Sequence, residues 1–228
     1  MDKKNHPCSQ EACGTFSELD IFHVDMEVKA EKRSILLHSC CGPCSTACIE
    51  RLLPDYKVTI FFYNPNITDK DEYERRRQAQ IKFLEAFNDT VSDEDKVEFI
   101  EGEYLPDDYY NVCSGYSNEP EGGKRCTECF KLRMERTAQV ALKTCNVLFG
   151  TTLTVSPHKN YMLISAIGSE LARVYGLEFL DVDFKKKAGF QRSIELSREY
   201  ELYRQNYCGC EYSKWMEKEE KTTEKRTT

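Results

Sequence analysis

The sequence predicts an α/β domain in three layers, a parallel sheet with helices on both faces. Short apolar runs rich in β-branched and aromatic residues alternate along the chain with longer stretches of helical periodicity. Polar or cysteine-bearing loops fall where those runs end. Strands alternating with helices make right-handed βαβ units and hence a parallel sheet. Ligands of such sheets sit outside the carboxyl ends of the strands.

The elements follow in order. Ile35 to His38 reads as a buried strand, followed by a cysteine loop and a short helix from Thr46 to Leu53. Lys57 to Tyr63 is the second strand, stopped by Asn64-Pro65-Asn66. A long helix from Asp71 to Phe87 puts Ile81, Leu84 and Phe87 on one face. Val97 to Ile100 is the third strand. From Glu128 to Leu142 apolar positions recur at spacings of three and four, as a packed helix requires. Val147 to Leu153 is the fourth strand, Leu163, Ile167, Leu171 and Val174 stripe the next helix, and Phe179 to Phe184 is the fifth strand. Leu196, Tyr200, Tyr203 and Tyr207 predict a last helix that runs straight into Cys208.

At 228 residues the chain is long enough to bury a core without staples. The organisation expected is a polar N-terminal arm over 1–33, a catalytic α/β domain over 34–213 and a disordered charged tail over 214–228. Phe16, Leu19, Ile21 and Phe22 are expected to form a docking segment within the arm. With 32 basic against 39 acidic residues the net charge is −7, which argues against sequence-blind coating of nucleic acid but not against a local basic patch. Mean hydropathy is −0.63, and no apolar run approaches a membrane span. The first residues hold no apolar stretch that could direct export, so a cytoplasmic location is expected.

Twelve cysteines in such a chain point to metal ligation or redox chemistry rather than a disulfide framework. Three groups stand out. His38-Ser39-Cys40-Cys41-Gly42-Pro43-Cys44 follows a strand and opens a helix, whose amino end favours thiolate, the form that ligates metal; a redox dithiol or inert core thiols are the alternative. Gly122-Gly123-Lys124-Arg125-Cys126-Thr127-Glu128-Cys129 delivers a second pair, ambiguous alone between zinc, an iron–sulfur cluster and a disulfide. Together the two groups hold five thiols, one more than zinc or a cubane cluster uses. Cys208-Gly209-Cys210 suits a labile, redox-active disulfide, with metal ligation or two free thiols as alternatives. Cys113 and Cys145, like Cys8 and Cys13, are taken as unreactive.

Polar loops complete the candidate site. Thr151 to Asn160 is dense in hydroxyls and carries His158, a proton relay or a capping residue. Lys159, Lys185 and Arg192 are candidates to meet a substrate phosphate, against the alternative of a solvated turn. Tyr73, Arg75, Arg76 and Arg77 read as a solvated helix face rather than an RNA contact.

The strings LLHSCCGPCS, FYNPNI, EPEGGKRCTECFKLRMERTA, TTLTVSPHKN and DFKKKAGFQRSIELSREYELYRQNYCGC occur in that order. Together they resemble the cobalamin-independent epoxyqueuosine reductases, the QueH family, over about residues 34–213. The resemblance implies a Rossmann-like fold of the kind shared by PP-loop and nucleotide alpha-hydrolase-like proteins. It implies two-electron deoxygenation of epoxyqueuosine, in the wobble position of tRNA, to queuosine. It further implies a [4Fe–4S] cluster held by Cys40, Cys41, Cys126 and Cys129, and an adjacent mononuclear metal, taken as iron, on Cys44. Cys208 and Cys210 would be the redox-active disulfide. The partners implied are the modified tRNA and an electron donor, with no membrane. Two rivals share some of these features. An ATP-dependent tRNA thiolation enzyme of the PP-loop kind needs a phosphate cradle where Ser39-Cys40-Cys41-Gly42 stands. A non-catalytic zinc-bound RNA adaptor would be colourless.

Overall fold

The structure, a computed structural model, describes residues 31–214. The expected arm, apart from its last few residues, and the expected tail, apart from Lys214, lie outside the described residues, as do Cys8, Cys13 and the docking segment. Of the described residues, Lys32 to Lys214 belong to one compact unit.

The strands are β1 (Arg33–Ser39), β2 (Tyr56–Phe62), β3 (Glu98–Glu101), β4 (Leu148–Thr151) and β5 (Glu178–Phe179). They form one sheet in the order β3-β2-β1-β4-β5, and every pairing is parallel. Leu37 lies opposite Ile60 of β2 on one side and Gly150 of β4 on the other. The chain steps outward from β1 to β3 and then returns to the far side of β1. That reversal opens a crevice at the carboxyl ends of β1 and β4, the place where sheets of this kind take their ligands. The cysteine loop leaves β1 there, and the hydroxyl-rich loop leaves β4 there.

The helices are α1 (Gly42–Leu52), α2 (Lys70–Asn88), α3 (Pro106–Cys113), α4 (Lys124–Lys143), α5 (Tyr161–Tyr175) and α6 (Gly189–Glu199). Alternation along β1 sorts the core into two layers. Ile35 and Leu37 pack with Ile49 and Leu52 of α1 and Phe83 and Leu84 of α2. Leu36 turns to the other face, against Ala138 and Ala141 of α4 and Ala172 of α5. Three layers result, as the sequence predicts.

The differences from the sequence reading are local. Both cysteine helices begin earlier than their apolar periodicity. Pro43 sits in the first turn of α1, where its missing N–H costs nothing. Cys44 and Cys126 therefore stand inside first helical turns. The fourth strand stops at Thr151, whose hydroxyl accepts the Leu153 N–H and starts a 3-10 turn over Thr152–Val155. The fifth strand is only two residues long, because the Val182 carbonyl accepts the Thr154 hydroxyl instead of extending the ladder, and Phe184 turns into the core. The last helix does not reach Cys208. It ends at Glu199, Glu201 takes a left-handed φ of 51°, and an irregular segment leads to the cysteine pair. Helix α3 carries too short an apolar pattern to be read from the sequence.

Candidate metal centre and cavity

Cys40 and Cys41 occupy the link between β1 and α1, with Cys41 as the extended N-cap residue and Cys44 in the first turn. This brings the three sulfurs within 4.8 Å of one another, with Cys40 and Cys41 3.7 Å apart. The link is held from below. The Ser39 hydroxyl donates to the Gln80 side-chain oxygen at 2.7 Å, and the Asn64 amide donates to the Ser39 carbonyl at 2.9 Å. Gly42 is needed for a close approach, since a Cβ there would run into the Ala79 carbonyl of α2. His38, fully buried, lies within 3.1 Å of the Tyr63 carbonyl through Nε2 and 2.9 Å from the Thr151 hydroxyl through Nδ1. A carbonyl can only accept, so Nε2 carries the proton and Nδ1 accepts. Burial, reinforced by Arg133, pushes the pKa of His38 down to about 3 and keeps it neutral.

The three thiols do not ionise alike. Hydrogen bonds from Cys41 and Cys44 hold Cys40 well below the ordinary thiol range, against the opposing effect of burial. Burial pushes Cys41 up to about 12, and hydrogen bonding to Cys40 and Cys41 holds Cys44 well above its ordinary value. Cys40 is the most readily ionised of the three. The helix amino end expected to favour all three thiolates is outweighed by burial at Cys41 and by hydrogen bonding to its neighbours at Cys44.

A second set of sulfurs adjoins the first. Cys126 packs against the buried group of Cys40, Cys41, Phe130 and Met134. Cys129 belongs to a neighbouring group with Tyr109, Cys113 and Cys210. Neither Cys126 nor Cys129 falls within the 4.8 Å set, which is the reach of donors to one ion. A four-iron cube spreads its ligands over its corners, one thiolate per iron, and has no need of that reach. Burial pushes Cys129 up to about 12 and Cys113 up to about 11. Between the sets lies the guanidinium of Arg133, 1% exposed. Its Nη1 stands 4.0 Å from Cys129 Sγ, its Nη2 donates to Asn64 Oδ1 at 2.9 Å, and its charge acts on Cys129, Cys40 and Cys208 together. A buried cation there offsets the negative charge that several thiolates would gather. Cys208 is half-buried and Cys210 buried, and both are free thiols.

Cys44 and Cys208 open into one cavity of about 500 Å³, lined also by His158, Lys159, Gln205 and Tyr207. The Gln205 amide donates to Cys41 Sγ at 2.9 Å, while its buried Oε1 has no partner among the described residues. Burial works against the charge of Lys159, yet the sulfurs of Cys208, Cys40 and Cys44 outweigh it and hold the ammonium protonated. Lys185 Nζ donates to the Lys159 carbonyl at 3.0 Å and so braces that loop. Arg192 does not line the cavity; Glu50 holds it with two hydrogen bonds of 2.7 and 2.9 Å.

The helix face read as solvated needs correction. Arg75 and Arg77 are partly exposed, but Tyr73 is buried and Arg76 is 1% exposed. Arg76 pairs with Glu72 one turn back and donates to the carbonyls of Tyr207 and Cys208. An i, i+4 Glu–Arg pair looks the same in sequence whether it faces water or protein. Gln205 and Arg133 were also missed as site residues, since an amide or a guanidinium without a motif of its own carries no signal until the fold surrounds it with sulfur.

Buried soft sulfur donors in two adjacent sets, balanced by a buried guanidinium, suit a thiolate-bound metal or cluster. Among the described residues no helix is long and apolar enough to cross a membrane. The model of the family described as epoxyqueuosine reductase QueH matches residues 35–216. The epoxyqueuosine reductase QueH of Streptococcus pyogenes is 42% identical over 84% of this chain and 74% of its own length. That of Staphylococcus epidermidis is 42% identical over 82% of this chain and 79% of its own. The Thermotoga maritima protein of the same name is 38% identical over 84% and 95%. On these matches, the chain belongs to the epoxyqueuosine reductase QueH family, a family of oxidoreductases.

Proposed function

We propose that this chain removes the oxygen of epoxyqueuosine in tRNA by a two-electron reduction, giving queuosine. The observation that carries the reading is the convergence of Cys40, Cys41 and Cys44 within 4.8 Å beside a cavity that Cys44 and Cys208 both line. Cys40, Cys41, Cys126 and Cys129 would hold a [4Fe–4S] cluster, and Cys44 an adjacent iron ion. Bound there, the two would supply single electrons and a Lewis acid for the departing epoxide oxygen.

The chain's own residues supply the rest. Cys208 and Cys210, as thiols, release two electrons and two protons on joining as a disulfide. The epoxide takes up two of each, loses its oxygen as water and leaves a carbon–carbon double bond, so the exchange balances. A donor outside the chain then returns two electrons and two protons to the disulfide. Lys159 presents a positive charge to the cavity, where the leaving oxygen or a tRNA phosphate would meet it, and Lys185 steadies its loop. His158, exposed at the cavity lip, would pass protons from solvent. Arg192, tied to Glu50, would reach a phosphate only by giving up that pair.

Cys208→Ser is the direct test. The variant should retain iron and sulfide but lose multiple turnover on epoxyqueuosine-containing tRNA. Normal multiple turnover would remove the disulfide from the mechanism.

A further inference from the structure

The turn that carries the cysteine pair is gripped by its backbone. Three consecutive carbonyls are held: Arg76 Nη2 donates to that of Tyr207 at 3.0 Å, Arg76 Nη1 to that of Cys208 at 3.1 Å, and the Thr68 N–H to that of Gly209 at 3.2 Å. Arg76 Nε is taken by Glu72 Oε1 at 2.6 Å. The other oxygen of Glu72 accepts from the Tyr203 hydroxyl at 2.7 Å and from Arg75 at 2.8 Å. The side chains of Glu72 and Arg76 are each 1% exposed, so the pair acts in a dry setting where charge-assisted hydrogen bonds are strong. Gly209 takes a φ of +117°, and a Cβ there would stand 2.9 Å from Ile67 Cγ1 and 3.2 Å from Arg76 Nη1. The turn is thus pressed against the residues that hold it. Arg76 hydrogen-bonds only the backbone of the turn, which leaves Cys208 facing the cavity and Cys210 in the buried group with Tyr109 and Cys113.

We propose that the buried Glu72–Arg76 pair is a positioning clamp that fixes the Cys208-Gly209-Cys210 turn in its dithiol conformation and thereby sets the equilibrium between two free thiols and their disulfide. The inference rests on the reading of these two cysteines as a redox pair. Both thiols are free while all three carbonyl bonds are made. Cys208 faces the cavity and Cys210 the buried group, so bringing their Cβ atoms to the roughly 3.5–4.5 Å of a disulfide would turn the short backbone between them. That backbone is the clamped one. Hydrogen bonds made in the dithiol and loosened in the disulfide favour the dithiol, so the clamp keeps the disulfide easy to reopen. A lysine cannot replace this function, since an ammonium lacks the planar fork that spans two carbonyls while a third donor holds Glu72.

The test uses the full-length, metal-loaded chain equilibrated without oxygen in thiol–disulfide buffers. The Cys208–Cys210 disulfide is read by differential alkylation and mass spectrometry. Arg76→Lys should move the equilibrium at least tenfold toward disulfide, about 30 mV for a two-electron couple. Glu72→Gln should move it the same way by at least twofold. A role in folding alone would lower the melting temperature and leave the couple where it was. Should Arg76→Lys not fold, Glu72→Gln carries the test on its own criterion. A wild-type chain that forms no Cys208–Cys210 disulfide in any buffer overturns the redox reading and the clamp with it. A normal wild-type couple that the folded variants leave unmoved, or shift toward dithiol, overturns the clamp alone.

Discussion

Gln205 reaches across the cavity wall to place an amide proton on Cys41 Sγ, and among the described residues no other nitrogen donates to that sulfur. Donors to a ligand sulfur tune what it holds, and their loss costs roughly 10–100-fold in metal affinity or activity. Gln205→Leu should therefore bind less iron and turn over slower by an amount in that range, with the melting temperature of the metal-free chain unchanged. Full iron content and full activity would show that the amide only fills space. Glu72 acts on the other half of the site through Arg76, which it holds by a hydrogen bond. Burial raises its pKa, but the Tyr203 hydroxyl, Arg75 and Arg76 outweigh burial and hold the carboxyl below its ordinary value. A carboxylate depressed in the folded state stabilises it above the unfolded pKa, about 4.3 for Glu, and the contribution fades as pH falls through the folded value. The stability gap between wild type and Glu72→Gln, measured by urea unfolding, should be full near neutral pH and close as pH drops below about 4. A gap that does not change with pH would mean that Glu72 contributes shape and not charge.

At the scale of elements, the site depends on how closely α1 can enter. The first turn of α1 lies against the backbone of α2 at Gly42 and Ala79, and that contact sets where Cys40, Cys41 and Cys44 point. Gly42→Ala forces one methyl into this space and should cost about 1–3 kcal/mol of stability, the usual penalty for overpacking. The same variant should lose iron out of proportion to its stability, since the three sulfurs can no longer keep their spacing. A variant as stable and as iron-rich as wild type would show that α1 has room to move. Much of this scale could be read from the sequence. β1, β2 and the long helices announce themselves by apolar period, and the thiols by spacing. The ends of elements could not. Pro43 reads as a helix breaker until it is seen in a first turn, and the stripe from Leu196 to Tyr207 continues through Glu201, where the backbone turns left-handed. Tyr200 and Tyr203 are spaced like a helical stripe, yet they serve other partners, Phe83 and Glu72.

For the whole molecule, the strand order places the loops after β1 and β4 on either side of one crevice. The crevice that other sheets of this order use for phosphates is here filled by thiols, with Cys41 buried and Gly42 pressed on α2. The sequence named the sulfurs, but long-range pairing decided their company: Arg133 and Gln205 come from α4 and the segment after α6. Local charge patterns cannot show which cations a fold will bury, so Arg76 reads as surface and is part of the interior. Together these sulfurs would hold a redox-active inorganic centre. Iron, zinc and acid-labile sulfide, measured with the visible spectrum on protein purified without oxygen, test it most directly. Iron with sulfide, a brown colour and broad visible absorption are expected, all lost in Cys40→Ser. A colourless chain holding zinc and no sulfide, from cells supplied with iron, would contradict it.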